Sequence, residues 1–243
     1  LETETQRDAQ RQKTAIRELF TRIAARYDRV NRLLSLGQDQ HWRKEALALA
    51  LTTLPPDGTL LDVATGTGDV ALLARQLYPG RRIVGVDLTP AMVALARQKS
   101  AGAEGDTQPQ WSVGDGLALP FPDNACDAVI SAFMLRNVPD VTLAFAEQTR
   151  VVRHGGRVVC LEMTWPRRFP MSWLFKGYFF GWAPLVGRAL SGDREAYAYL
   201  PRSVRGFSSP ETVAQRMRDV GLKDVSWRLR MWGTVAIYAG RKE

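Results

Sequence analysis

The sequence predicts an α/β chain built on one mainly parallel sheet, and three observations carry that reading. Short apolar runs of strand length alternate with helical stretches between residues 59 and 163. A glycine turn follows the first of these runs and opens a helix. The second run ends in a carboxylate roughly 20 residues further on, where an open parallel sheet can hold a nucleoside beyond the carboxyl ends of its strands.

Residues from about 8 to 52 read as helices, because Ile16, Leu19, Phe20 and Ile23 recur at helical spacing, and Leu47, Leu49 and Leu51 follow after the polar Gln38-Asp39-Gln40. Pro55-Pro56-Asp57-Gly58 ends that pattern. Residues 59–64, 82–87, 111–115, 128–133 and 157–163 then read as five strands. Residues 70–77, 90–99 and 141–152 read as the helices between them, the second with proline in its first turn. Connections of this length predict parallel strands covered on both faces. Residues 211–220 form a further helix closed by Gly221. Residues 225–231 and 234–239, separated by Trp232-Gly233, read as a hairpin at one edge of the sheet.

The net charge of +8 favours anionic partners, but the Lys and Arg residues are scattered and form no nucleic-acid module. Two cysteines in strand-like stretches, Cys126 and Cys160, indicate no disulfide framework and fit a reducing compartment. With only two histidines in addition, the chain gives no metal-ligand pattern. The polar, helix-prone first residues do not read as a signal peptide. No stretch of about 18 uncharged apolar residues occurs, so no membrane span is expected.

The chemistry concentrates in Asp62-Val63-Ala64-Thr65-Gly66-Thr67-Gly68-Asp69. Its glycines permit a tight turn and close approach of a ligand. Asp87, ending the next strand, can accept from both hydroxyls of a ribose. The same loop also satisfies a dinucleotide fingerprint. Three features oppose that alternative. Asp62 and Asp69 flank the loop with negative charge, which suits a sulfonium and an amino group better than a pyrophosphate. Gly114-Asp115-Gly116 ends the third strand with another acid, placed for an adenine amine. The closing hairpin is foreign to a plain dinucleotide fold.

Together these features resemble the class I S-adenosylmethionine methyltransferases. More specific blocks resemble the UbiE/MenG/COQ5 family of quinone-biosynthesis C-methyltransferases. They are Tyr27-Asp28-Arg29-Val30-Asn31, Leu34-Ser35-Leu36-Gly37 with Trp42-Arg43, and Phe133-Met134-Leu135-Arg136-Asn137-Val138. Ser191-Gly192-Asp193-Arg194-Glu195-Ala196-Tyr197 and Gly233-Thr234-Val235-Ala236-Ile237-Tyr238 complete the set. The chain departs from the family pattern at Gln38-Asp39-Gln40, where a histidine is usual, and at Ala132, where serine is common.

The resemblance implies a single Rossmann-like domain with a seven-stranded sheet, a C-terminal antiparallel hairpin strand and N-terminal helices over the acceptor side. It implies S-adenosylmethionine as cofactor, held by Asp62, Ala64, Gly66, Thr67, Gly68, Asp87, Leu88, Asp115, Gly116 and Ala132. It implies methylation of a prenylated quinol ring, demethylmenaquinol first, with a ubiquinone precursor or another aromatic or lipid-like molecule as the alternative. Arg136 would stabilise a phenolate, and Asn137 and Tyr27 would orient hydroxyls; each also has a plain structural reading, as surface arginine, helix cap and half-buried aromatic. The aromatic stretch 169–186, with Arg167, Arg168, Lys176 and Arg188 beside it, is either a buried helix or a wall for the prenyl tail touching an anionic membrane surface. A cytoplasmic location, at most peripheral to the membrane, is expected. No nucleic-acid partner is expected, and a homodimer is left open.

Overall fold

The computed structural model describes residues 4–101, 108–166, 170–178, 181 and 194–243. Among these, seven strands form one sheet: β1 (Thr59–Val63), β2 (Arg82–Asp87), β3 (Gln110–Val113), β4 (Cys126–Ala132), β5 (Val152–Met163), β6 (Lys223–Arg230) and β7 (Val235–Arg241). Their order is β3-β2-β1-β4-β5-β7-β6. The first five pair in parallel; β7 runs antiparallel between β5 and β6. The helices are α1 (Glu4–Ile23), α2 (Tyr27–Leu34), α3 (Gln38–Ala50), α4 (Asp69–Leu77), α5 (Pro90–Ala101), α6 (Val141–Val151), α7 (Met171–Gly177), α8 (Arg194–Arg205) and α9 (Pro210–Asp219).

Alternation along the central strands sorts side chains into two cores, one on each face. Leu61 and Val63 of β1 join Val129, Val158 and Tyr238 beneath Phe145 of α6 and Met217 of α9. Leu60 joins Ile130, Leu161 and Ile237 beneath Trp42 and Leu47 of α3 and Val70 and Ala74 of α4. Both faces of β1 and β4 are therefore dry, which is why their sequences read as continuous apolar runs. α3 belongs to this core, whereas α1 and α2 reach over the carboxyl end of the sheet. Asp140 caps α6 by accepting from the Leu143 amide at 2.9 Å, and Ser209 caps α9 in the same way.

Several predicted boundaries shift, and three of the changes have a local cause. β5 begins at Val152 rather than 157, because Gly155 supplies a φ of 79° and Gly156 passes the Asp127 carbonyl, where a Cβ would lie 2.5 Å away. β3 ends at Val113, so Asp115 stands two residues beyond it, in a bridge to Ala118. The hairpin turn is the longer Met231–Gly233, with Met231 and Trp232 both at positive φ. Phe169, Phe179, Phe180 and Trp182, the cations Arg167, Arg168 and Arg188, and residues 191–193 lie outside the described residues. Among the described residues no helix is long and apolar enough to cross a membrane.

Phe145 and Leu143 sit two residues apart on α6, one fully buried and the other 43% exposed. Phe145→Ala should cost about 3–5 kcal/mol and Leu143→Ala less than about 1 kcal/mol, read from urea unfolding midpoints. Equal losses at the two positions would contradict the two-sided core.

Candidate active site

The glycine loop and Asp87 form one hydrogen-bonded unit. Asp87 Oδ2 accepts from the Gly66 amide at 2.8 Å, and Oδ1 accepts from the Thr89 amide at 2.8 Å. The Thr89 side chain also bonds to this carboxylate, and its remaining acceptor capacity is open to a ligand. Burial holds the Asp87 carboxyl above its ordinary pKa, against those two amides. Gly66 adopts φ 58° with nothing near the place a Cβ would take, so the loop presents open backbone. Gly68 is required for a different reason. At φ 86° it precedes α4, and a Cβ there would lie 2.6 Å from the Trp111 ring.

Asp62 lies at the floor of the loop and is fully buried. Thr65 donates to its Oδ2 at 2.6 Å, but Oδ1 has no partner. Burial pushes its pKa up to about 7. A buried carboxylate oxygen without a partner is costly unless a donor reaches it. The residues therefore fit a ligand that brings an amino group into this loop. Asp69, also expected to add negative charge here, is engaged by Lys99 Nζ at 3.0 Å and by Arg43 at 3.8 Å.

Two large cavities and a small one open above the sheet. The first, about 740 Å³, is lined by Ala64, Gly66, Asp87, Leu88, Asp115, Gly116, Ala132 and Asn137. It brings together most of the predicted cofactor residues. Asp62 and Thr67 line the adjoining small cavity instead, and Gly68 lines neither. The roof of the first cavity comes from Lys13, Ile16 and Phe20 of α1, which sequence reasoning missed. Lys13 Nζ donates to Asp115 Oδ2 at 2.6 Å across 102 residues of sequence. Asp28 of α2 ties a second helix to the loop, accepting from Thr67 Oγ1 at 2.5 Å and pairing with Lys99.

The second cavity, about 1050 Å³, is lined mainly by apolar side chains, among them Leu34, Trp42, Met163, Phe175 and Val235. Arg136 lines it and is buried, not a surface arginine. Its Nη1 donates to Glu162 Oε1 at 2.5 Å and to the Phe133 carbonyl at 3.0 Å, and Glu162 is fully buried. Burial opposes the Arg136 charge, but Glu162, Tyr27 and Tyr199 together raise its pKa. Asn137 faces the first cavity. Its Nδ2 donates to the Phe133 carbonyl and its Oδ1 accepts from Tyr199 at 3.1 Å, so Asp140, not Asn137, is the helix cap. Asp39, near the place of the usual family histidine, is buried and lines the second cavity with Arg43.

Tyr27 and Phe133 line all three cavities and so form the partition between them. Phe133 holds φ 60°, a backbone conformation unusual for a bulky residue and a sign of a functional constraint. Its ring lies 5.6 Å from both the Arg43 and the Arg136 guanidinium carbons. Burial keeps the Tyr27 phenol above its ordinary pKa, despite the two nearby arginines.

A model of the ubiE/COQ5 methyltransferase family matches residues 6–242. The chain belongs to the ubiE/COQ5 methyltransferase family. It is 43% identical to the demethylmenaquinone methyltransferase of Roseiflexus castenholzii, over 93% of each chain. It is 42% identical to the ubiquinone/menaquinone biosynthesis C-methyltransferase UbiE of Geobacter sulfurreducens, over 93% of this chain and 88% of that one. The fold is shared with the [4+2]-cyclase SpnF, with a TM-score of 0.65 and 19% identity over 84% of this chain and 81% of that one. This methyltransferase thus keeps a scaffold that also serves other chemistry.

The pKa of Asp62 sets a stability window. Below its ordinary value of 3.8 the carboxyl is protonated in folded and unfolded chains alike. Between 3.8 and about 7 the unfolded chain releases the proton while the folded chain retains it, so stability falls as pH rises. Melting temperatures of the ligand-free protein should decline across this window more steeply than those of Asp62→Asn. Parallel curves for the two proteins would remove the buried charge from the account.

Proposed function

We propose that this chain transfers a methyl group from S-adenosylmethionine to a ring carbon of a prenylated quinol, demethylmenaquinol being the first candidate. The observation that carries the reading is the pair of cavities sharing Tyr27 and Phe133. One of them joins the glycine loop to Asp87, and the other is an apolar chamber with a buried arginine in its wall. The names of the relatives supply the quinone chemistry. Demethylmenaquinone and ubiquinone/menaquinone enzymes stand at like identity, so the ubiquinone precursor is the second substrate to test.

On this reading Asp87 and Leu88 hold the ribose of the cofactor, and Asp115 and Gly116 hold its adenine. Ala64, Gly66, Thr67 and Gly68 hold its amino-acid end, with Asp62 taking the amino group and Ala132 closing the wall. When bound, S-adenosylmethionine supplies an electrophilic methyl group on a sulfonium. Arg136, fixed by Glu162 and the Phe133 carbonyl, holds positive charge beside a quinol oxygen. That charge favours the phenolate and so makes the neighbouring ring carbon electron-rich. Tyr27, kept neutral by burial, orients the ring hydroxyl at the partition. Asn137 acts through Phe133, whose carbonyl it grips. Tyr27 and Phe133 belong to the walls of both cavities, so donor and acceptor would lie side by side at the edges of these rings, in the direct contact that a methyl transfer needs. The tail of the quinol brings the protein against an anionic membrane surface, and a homodimer is compatible with the reading without being needed by it.

The direct test is incubation with labelled S-adenosylmethionine and reduced demethylmenaquinone, in parallel with a demethylated ubiquinone precursor, followed by mass analysis. A product heavier by one labelled methyl is expected. Calorimetric uptake of a nicotinamide dinucleotide in place of the methyl donor would overturn the proposal. Arg136→Ala should lower kcat by roughly two orders of magnitude while cofactor affinity changes less than about threefold. Wild-type turnover in that variant would remove Arg136 from the chemistry.

A further inference from the structure

We infer that the mouth of the apolar cavity is a docking face for an anionic lipid bilayer; the inference rests on the quinol reading, because a prenylated ring gives such a face its purpose. Ten large apolar side chains are exposed among the described residues. Seven of them fall in three short segments, 29–37, 170–178 and 228–234. Each segment also contributes lining residues to the one cavity: Leu34 and Ser35, Leu174 and Phe175, and Met231 and Trp232. Among the described residues, both strongly exposed tryptophans are here, Trp173 at 68% and Trp232 at 76%. Leu36 (φ 52°) and Trp232 (φ 55°) hold strained left-handed backbone at the tips of their turns. Tryptophan is the side chain best suited to a membrane–water interface.

Charge decides the occupant. The three segments carry Arg29, Arg32, Lys176, Arg228 and Arg230 and contain no carboxylate. Acids beside them engage some of these cations: Asp28 pairs with Lys99, the buried Asp39 with Arg32, and Glu45 with Arg228 and Arg230, which leaves the exposed Arg29 and Lys176 to face outward. A second copy of the same face would set like charges against each other. Anionic headgroups meet those cations while the tryptophans and leucines enter the headgroup layer. In this orientation the cavity mouth faces the lipid. A quinol ring rises into it while the prenyl tail stays in hydrocarbon, and no soluble carrier is required.

The test is sedimentation of the full chain with vesicles of phosphatidylcholine alone or mixed with phosphatidylglycerol. Binding to the mixed vesicles at low salt, and its loss at high salt, are expected. Paired substitution of Lys176→Glu and Arg29→Glu should weaken partitioning by roughly 25-fold or more, at about fivefold for each cation removed. Trp173→Ser with Leu36→Ser should weaken it without changing its salt dependence. None of these four side chains lines the cavity, so methylation of a short-chain, water-soluble quinol should persist, and unchanged melting temperatures establish folding. No binding to mixed vesicles at low salt overturns the inference, as does wild-type binding by both paired variants. A dimer that Trp173→Ser converts to monomer, without vesicle binding, assigns the face to a second copy and also overturns it. Vesicle binding that the variants weaken, in a chain that methylates no quinol, supports the docking face while sinking the quinol reading.

Discussion

The carboxylate of Asp87 ties together the ends of two strands, and the site is assembled around that tie. Its two oxygens fix the amide of Gly66, just past β1, and the amide of Thr89, just past β2. A loop with open backbone would otherwise be free to collapse onto the neighbouring strand ends. Charge-assisted bonds to backbone amides are among the stronger hydrogen bonds available to a protein. Because Asp87 is buried, they are neither screened by salt nor diluted by water. The position of the loop sets where the first cavity lies, and the partition of Tyr27 and Phe133 then sets where the second begins.

Around this tie the charged groups are arranged as compensated pairs rather than as isolated ions. Glu162 balances Arg136, Lys13 balances Asp115, and Lys99 serves both Asp28 and Asp69. Asp62 stands outside these pairs, with one buried oxygen left unpartnered. An incomplete buried group of this kind is destabilising by itself and gains a partner only when a ligand donates to it. The apolar chamber follows the opposite rule. Its arginine is already satisfied on one side by Glu162, so the guanidinium is held in place with no need of substrate to order it.

Much of the sheet was legible in the sequence because its strands are short apolar runs bounded by turns, and Leu60 to Val63 or Ala128 to Ile130 could hardly be anything else. Boundaries slipped where glycine concealed continuity, as at Gly155-Gly156, or where a functional acid lay beyond its strand, as with Asp115. The glycine loop and Asp87 were legible because the chemistry is packed into one motif and one register position. Lys13 and the pairing of Glu162 with Arg136 were not, because their importance comes from contacts over long stretches of chain. The Lys13–Asp115 pair spans 102 residues and the Arg136–Glu162 pair 26. Nothing in local spacing announces which distant acid a lysine will meet.

The placement of β7 between β5 and β6 has a consequence for how the molecule comes into being. Strands β1 to β4 can pair as soon as they leave the ribosome, since their partners are all made early. β5 acquires its outer neighbour, and β6 its partner among the described strands, when residues 235–241 have been synthesised. Thr234 and Val235, which wall the apolar chamber, arrive with them. The nascent chain therefore completes its nucleoside half first and leaves the greasy half unsealed until late in translation, the interval in which an exposed strand edge is most open to misassociation.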